Sequence, residues 1–237
     1  MTEPEHIKNN FGQPIGQPVP GWSPRALPPR TAMVGHYTSL EPINASLHAQ
    51  PLMEAFAASP DARDWTYLPN DPPRDRAGYE AWLTHAAASE DPLFHVINNG
   101  VTGRPAGIAA FLRIDPANGV IEVGHINLSQ ALKQTRAATE AMYLMMRRAF
   151  EELGYRRYEW KCDSLNAPSR RAALRLGFQF EGIFRRAVVT KGRNRDTAWF
   201  SIIDSEWPAR KAAFERWLAP DNFDSTGQQR IALREGG

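Results

Sequence analysis

Gly124-His125-Ile126-Asn127-Leu128-Ser129, then Gln130-Ala131-Leu132-Lys133-Gln134-Thr135-Arg136-Ala137-Ala138, then Thr139-Glu140-Ala141-Met142-Tyr143-Leu144-Met145-Met146: this stretch decides the fold. Its first piece closes an apolar, β-branched run that starts at Val120 and reads as a strand. Its last piece changes period. Ala138, Ala141, Met142, Met145, Met146, Ala149 and Leu153 follow the three-and-four spacing of one helix face, and Gly154 suits the position just past a helix end. A strand therefore runs into a loop, and the loop opens a helix. The first N–H groups of a helix have no partner within it, and the helix dipole favours an anion there. Thr135, Ala137, Ala138 and Thr139 are small enough to let a phosphate approach the backbone, and Lys133 and Arg136 add positive charge. Alone this pattern is weak, because most helix starts bind only water.

Upstream, Thr31 to Leu40 is a strand candidate, Asn44 to Ala58 a helix, and Pro60 to Pro73 a turn-rich segment carrying Trp65 and Tyr67. Arg76 to Ser89 is a second helix, with Tyr79, Trp82 and Leu83 at helical spacing. Leu93 to Asn98, Ala106 to Ile114 and Val120 to Leu128 are strands whose connections are too short for helical crossovers, so they form an antiparallel meander. Downstream come a strand over Arg156 to Cys162 and a short helix over Pro168 to Leu176. Strands over Phe178 to Thr190 and Thr197 to Ile203 flank the turn Lys191-Gly192-Arg193-Asn194, and a closing helix covers Pro208 to Leu218. The sum is an α+β domain: a mostly antiparallel sheet, flanked by helices, with a strand–helix–strand–helix insert.

Composition sets the limits. The chain has 237 residues, 42% hydrophobic and 23% charged, a globular mix that suits one domain with trimmings. A net charge of +2 gives no electrostatic case for nucleic acid or an anionic membrane. No run approaches the ~20 apolar residues of a membrane span, and the polar start Met1-Thr2-Glu3-Pro4-Glu5-His6 does not read as a secretory signal. A single cysteine, Cys162, fits a reducing cytoplasm and excludes an internal disulfide or a multi-cysteine zinc site. Seven of the nineteen prolines fall in the first thirty residues, so residues 1–30 read as an extended arm that Trp22 could pin to the body. Residues 31–220 form the domain and 221–237 a tail, frayed from Gly227 on.

The order of these pieces resembles the GNAT superfamily of acyl-CoA-dependent N-acyltransferases, in particular the branch of the ribosomal-protein N-terminal acetyltransferases (Rim-type). That branch runs Glu-x-Gly-Tyr, a strand end, Arg-Gly-x-Gly-x-Ala-Thr-Glu-Ala, a helix, a strand, Asn-x-x-Ser and Leu-Gly-Phe. Here the pieces are Glu122-Val123-Gly124-His125, Lys133-Gln134-Thr135-Arg136-Ala137-Ala138-Thr139-Glu140-Ala141, Asn166-Ala167-Pro168-Ser169 and Leu176-Gly177-Phe178. The ending, from Asp196 through Phe200-Ser201 to Glu206-Trp207, also fits. The resemblance covers about residues 30 to 220. Both loop glycines are replaced, by Gln134 and Arg136, and His125 stands where the branch has tyrosine.

The resemblance implies attack of an amine on the thioester of acetyl-CoA, with no metal. It places the pyrophosphate on the backbone N–H groups of Gln134, Thr135, Arg136, Ala137, Ala138 and Thr139, with a possible side-chain contact from Arg136. Asn127, Leu128 and Ser129 would flank the pantetheine arm, and Asn166 would hydrogen-bond it. Glu122 is the first candidate for the base that deprotonates the amine, against an ion-paired strand glutamate. His125 is the second candidate, against a packed strand histidine. Many relatives protonate the leaving thiolate with a tyrosine late in the short helix, where this chain has Ala173; Ser169 is the remaining candidate, against a plain helix cap.

Other features have bland readings beside them. Cys162 reads as a buried inert thiol and the methionine cluster as core. Lys191, Arg193 and Arg195 make a basic patch that is either a solvated turn or a border of the acceptor site that favours an anionic group. Trp65, Tyr67 and Trp82 either line an acceptor pocket or fill the core. The acceptor is left open among a protein N-terminus, an amino acid, a polyamine and another small amine, as is the oligomeric state. A non-catalytic acyl-CoA sensor, or a partner-binding module on the same fold, is the alternative to an enzyme.

Overall fold

The computed structural model describes residues 7–233. The readings of Met1 to His6, including Pro4, and of the last four residues of the tail lie outside the described residues. The arm holds a small hairpin, β1 (Ile7–Lys8) with β2 (Pro14–Ile15). Trp22 then docks on the body: its indole N–H donates to the Ala117 carbonyl at 2.9 Å. Its ring lies so close over Gly119, at φ +62, that a Cβ there would sit 2.4 Å from it.

The main sheet is built from β3 (Met33–Val34), β4 (Thr38–Pro42), β5 (Leu93–Asn99), β6 (Pro105–Asp115), β7 (Val120–Leu128), β8 (Arg157–Asp163), β9 (Gln179–Thr190) and β10 (Arg193–Ile203). Its order is β3-β4-β5-β6-β7-β8-β10-β9. Each described pairing in it is antiparallel except β7 with β8. That parallel pair needs a crossover, and α3 (Arg136–Arg147) supplies it. The meander over β5, β6 and β7 and the mixed α+β architecture agree with the sequence reading.

Strand alternation divides the core between two faces. On one face, α1 (Ala45–Ala57) and α2 (Arg76–Ala88) bury Leu52, Phe56, Tyr79 and Leu83 with Val96, Ile108 and Ala110 of the sheet. Asn44 and Asp75 start these helices by accepting the N–H groups of Leu47 and Gly78. On the other face, α3 and α5 (Trp207–Leu218) set Met142, Met145, Phe214 and Trp217 with Phe111, Ile121, Tyr158 and Phe200. The short α4 (Ala167–Arg175) follows β8.

Three boundaries differ from the expectation by more than a residue or two. The strand over Thr31 to Leu40 is two, β3 and β4, broken at Gly35. The Glu140 carboxylate accepts the N–H groups of His36, Tyr37 and Thr38 at 2.9, 2.6 and 2.9 Å and turns the chain there. Helix α3 ends at Arg147, and residues Arg148–Glu152 continue it as a wider π-helical turn. Strand β10 starts at Arg193, because Lys191 and Gly192, at φ 49 and 70, make a two-residue hairpin turn.

Candidate active site

The β7–β8 ladder stops early. Its register runs from Val120↔Arg157 to Val123↔Trp160, after which the two strands continue without pairing. On its other side β7 bulges against β6: Gly124 faces Ala110 and Asn127 faces Ile108, so His125 and Ile126 oppose a single residue. His125 sits at the bulge with φ 49, a left-handed conformation that histidine tolerates better than most side chains. Its ring lies edge-on to Phe94 at 5.0 Å.

The imidazole reaches an apolar pocket that it shares with Trp65, Leu68, Trp82, Ile108 and Asn127. Trp65 and Trp82 meet there edge-to-face at 5.9 Å. Trp65 and Trp82 are thus pocket wall as well as core. Tyr67, by contrast, is exposed, and its hydroxyl donates to the Leu165 carbonyl at 3.3 Å. Burial, reinforced by the Arg113 and Arg195 guanidinium groups, holds the His125 imidazole below its ordinary value of 6.5. The neutral ring therefore predominates near pH 7 and can accept a proton.

Glu122 has a different environment. It is 3% exposed and doubly ion-paired: Arg113 Nη1 lies 2.7 Å and Lys161 Nζ 2.9 Å from its Oε2. Arg113 also sits in a bulge, at φ 46, which turns its guanidinium onto Glu122. Lys161, 5% exposed, reaches Glu159 at 2.6 Å as well. Arg157 then links Glu159 to Glu181. A ladder of alternating charge thus crosses the sheet from β6 to β9. Arg113 and Lys161 did not stand out in the sequence. The alternation Tyr158-Glu159-Trp160-Lys161-Cys162 does put Glu159 and Lys161 on one face; the bulge that aims Arg113 left no such trace.

At the other end of the splay, Asn127 and Ser129 are buried, and Asn127 Nδ2 and Ser129 Oγ have no hydrogen-bond partner. Leu128, half-buried, lies between them. The loop beyond opens α3. Thr135 caps it, accepting the Ala138 N–H at 3.2 Å, and the N–H groups of Gln134, Arg136 and Ala137 find no acceptor among the described residues. Gln134 takes the left-handed conformation, φ 60, at the first missing glycine, whereas Arg136 is an ordinary first helical residue. Buried donors without partners and an open helix start fit a coenzyme with an amide-bearing arm and a pyrophosphate.

Several expected contributors are already engaged. The Arg136 guanidinium lies 3.5 Å from the Phe223 ring centre and 4.5 Å from that of Tyr37, so what it offers a phosphate is its N–H. Lys133 pairs with Asp64 at 2.5 Å, and Thr139 Oγ1 accepts from Arg175 at 3.1 Å. Asn166 caps α4, its Oδ1 accepting the Ser169 N–H at 3.1 Å. The Ser169 hydroxyl accepts the Trp160 indole N–H at 2.9 Å. Cys162 is buried, which pushes its thiol up, against a smaller opposing effect of its hydrogen bond with Ser169. Among the described residues, no helix is long and apolar enough to cross a membrane.

Residues 38–179 match the family model described as the acetyltransferase (GNAT) domain. The chain is similar to the crystal structure of a GCN5-related N-acetyltransferase from Brucella melitensis, with 52% identity and a TM-score of 0.90 over 92% of this chain and 98% of that one. It is 32% identical over 106 residues to the uncharacterized N-acetyltransferase p20 of Bacillus licheniformis, over 45% of this chain; the match spans 59% of that curated relative's length. A putative ribosomal-protein-serine acetyltransferase from Vibrio cholerae shares the fold, with a TM-score of 0.64 at 20% identity over 74% of this chain and 98% of that one. The splayed parallel pair, the open helix start and the matched span of sequence agree: this chain belongs to the GNAT acetyltransferase family.

Proposed function

We propose that the protein transfers the acetyl group of acetyl-CoA to a primary amine by direct attack, with His125 taking the amine's proton. The observation that carries this reading is the place of His125: on a bulge beside the splayed strands, lining an aromatic pocket, and held neutral by burial and two guanidinium groups. Glu122 has both oxygens engaged by cations, so its part is to anchor Arg113 and Lys161. Acetyl-CoA, when bound, supplies an activated thioester. The free N–H groups of Gln134, Arg136 and Ala137 hold its pyrophosphate, while those of Thr135, Ala138 and Thr139 are spent on the loop and the helix, and Asn127, Leu128, Ser129 and Asn166 hold the pantetheine arm. Ser169 donates a hydrogen bond to the departing sulfur, and the proton released by the amine ends on the thiol. The acceptor is a small amine or a peptide N-terminus, and the single buried thiol fits a reaction in the cytoplasm.

Calorimetry with acetyl-CoA, followed by thiol release with a panel of amines, tests the reading. His125→Gln should lower kcat by about 10²–10⁴-fold, the usual worth of a positioned base, with acetyl-CoA affinity nearly kept. Full turnover in that variant would remove His125 from the role. Binding of acetyl-CoA without acetylation of any amine would favour an acyl-CoA sensor on the same fold.

A further inference from the structure

We propose that residues 59–71, between α1 and α2, are a strap across the mouth of the gap between β7 and β8, that the strap lifts to admit the acceptor, and that Lys191 is its latch. The inference rests on the acetyl-transfer reading above and says how the amine reaches that site.

The two strands part after Val123 and Trp160, and the segments that leave them form two shores. Gln130 and Lys133 follow β7, Leu165 follows β8, and Lys191 stands at the tip of the β9–β10 hairpin. The strap is tied to both sides. Its Asp64 pairs with Lys133 at 2.5 Å, and its Ser59 hydroxyl accepts from Gln130 at 3.5 Å. Across the gap, Lys191 Nζ donates to the Trp65 carbonyl at 2.8 Å and pairs with Asp71 at 2.7 Å, and the Tyr67 hydroxyl donates to the Leu165 carbonyl. Each of these ties depends on a side chain. The backbone-to-backbone bonds described for the strap, among them Ser59 to Phe56, Thr66 to Arg63 and Leu68 to Trp65, stay within it or reach back to α1. A segment held in this way belongs to the part of a fold that opens at least cost.

Beneath the strap lies the acceptor side of the site. Trp65, Leu68, Pro69 and Asn70 of the strap face the half-buried His125 and the buried Asn127 across a cavity of about 10 Å³, room for one water. No amine with a carbon chain fits there while the strap is down, so an acceptor enters this pocket only when the strap moves. Trp65 is the plug. It is 5% exposed and packs edge-on against Phe56 at 5.7 Å and Trp82 at 5.9 Å, an apolar seat to which the strap can return. Lys191 holds both the plug, through the Trp65 carbonyl, and the strap's far end, through Asp71. Asp71 is exposed, so release of the latch leaves its charge in water at little cost.

The test uses two readouts that need no turnover. Hydrogen exchange followed by mass spectrometry reads the amides of the strap. Diethyl pyrocarbonate, which acylates neutral imidazole and is far larger than water, reads access to His125, with the modified residues located by peptide mass. Lys191→Met should speed exchange over residues 61–71 by at least about tenfold, the worth of one hydrogen bond to a charged group, and should speed modification of His125 with it. The exposed His85 and the amides of α3 should keep their wild-type rates. Arg193→Met, on the same hairpin but outside these ties, should change neither readout. Unchanged rates in Lys191→Met overturn the inference, and so does a wild-type His125 as reactive as His85. Faster exchange with unchanged modification of His125 would describe a loose loop that guards nothing, and overturns it too. If no amine is acetylated, the acetyl-transfer reading fails by itself, and the two rates still decide whether the strap closes the pocket.

Discussion

One carboxylate oxygen of Glu140, in the first half of α3, lies 2.6 Å from the backbone N–H of Tyr37, across 103 positions of sequence. It also accepts from Thr38, while the second oxygen accepts from His36. Glu140 is buried, so replacing it by alanine leaves three N–H groups without acceptors. We expect Glu140→Ala to cost about 3–5 kcal/mol in urea denaturation, at roughly 1–3 kcal/mol per unmade bond with partial relaxation. Gly35→Ala should also destabilise, because its Cβ would stand 2.4 Å from the same carboxylate.

Glu122 and Glu159 are direct neighbours in the β7–β8 register, and Lys161 joins them. Lys161→Met removes the charge between two buried carboxylates. Its expected cost is about 3–5 kcal/mol, the usual result of breaking a buried ion pair from one side. Adding Glu159→Gln should recover part of the loss. Equal stability of wild type and Lys161→Met would show that the two carboxylates do not depend on it.

His95, on β5, is fully buried, and burial is the main cause that lowers its imidazole to about 4. Its folded value lies below the unfolded value of about 6.5, so the unfolded chain binds more protons in between. The stability that this difference contributes is complete above about pH 6.5 and declines as pH falls toward 4. Acidification from pH 7 to pH 5 should remove about 2 kcal/mol through this residue. Urea midpoints at the two pH values should lie closer together in His95→Leu than in the wild type.

Burial does most to lower the His125 imidazole, and the like charges of Arg113 and then Arg195 add to it. Removing Arg195 should move the acid limb of the kcat/KM profile upward, toward the ordinary histidine value of about 6.5. A pH profile of Arg195→Gln, with any amine that the wild type acetylates, checks this. An acid limb that does not move would separate Arg195 from the ring.

What could be read in advance was what depends on neighbours in sequence. The methionine face of α3, the Asn166 cap and the short turns of the meander each follow from local spacing or one residue's chemistry. The break at Gly35 could not be read that way, because a carboxylate from α3 imposes it. The state of Glu122 was equally hidden. Its partners come from a bulge on β6 and from the parallel register of β8, and neither exists until the sheet is assembled. The loop was legible in outline, but the left-handed residue is Gln134. The replaced glycines alone did not say which position needed that conformation.

The seam between β7 and β8 behaves like a zip whose slider is stopped after its fourth tooth, at Val123 and Trp160. The gap beyond is made by main chain, so exchanging side chains in the pocket does not close it. If acetyl-CoA seats in that gap as proposed, the donor's place and the choice of acceptor depend on different parts of the chain. On that reading, variation in the loop around Trp65 and at the tip of the β9–β10 hairpin should change which amine is accepted and leave the thioester's place unchanged. A library confined to those two segments should yield new acceptors without new donors.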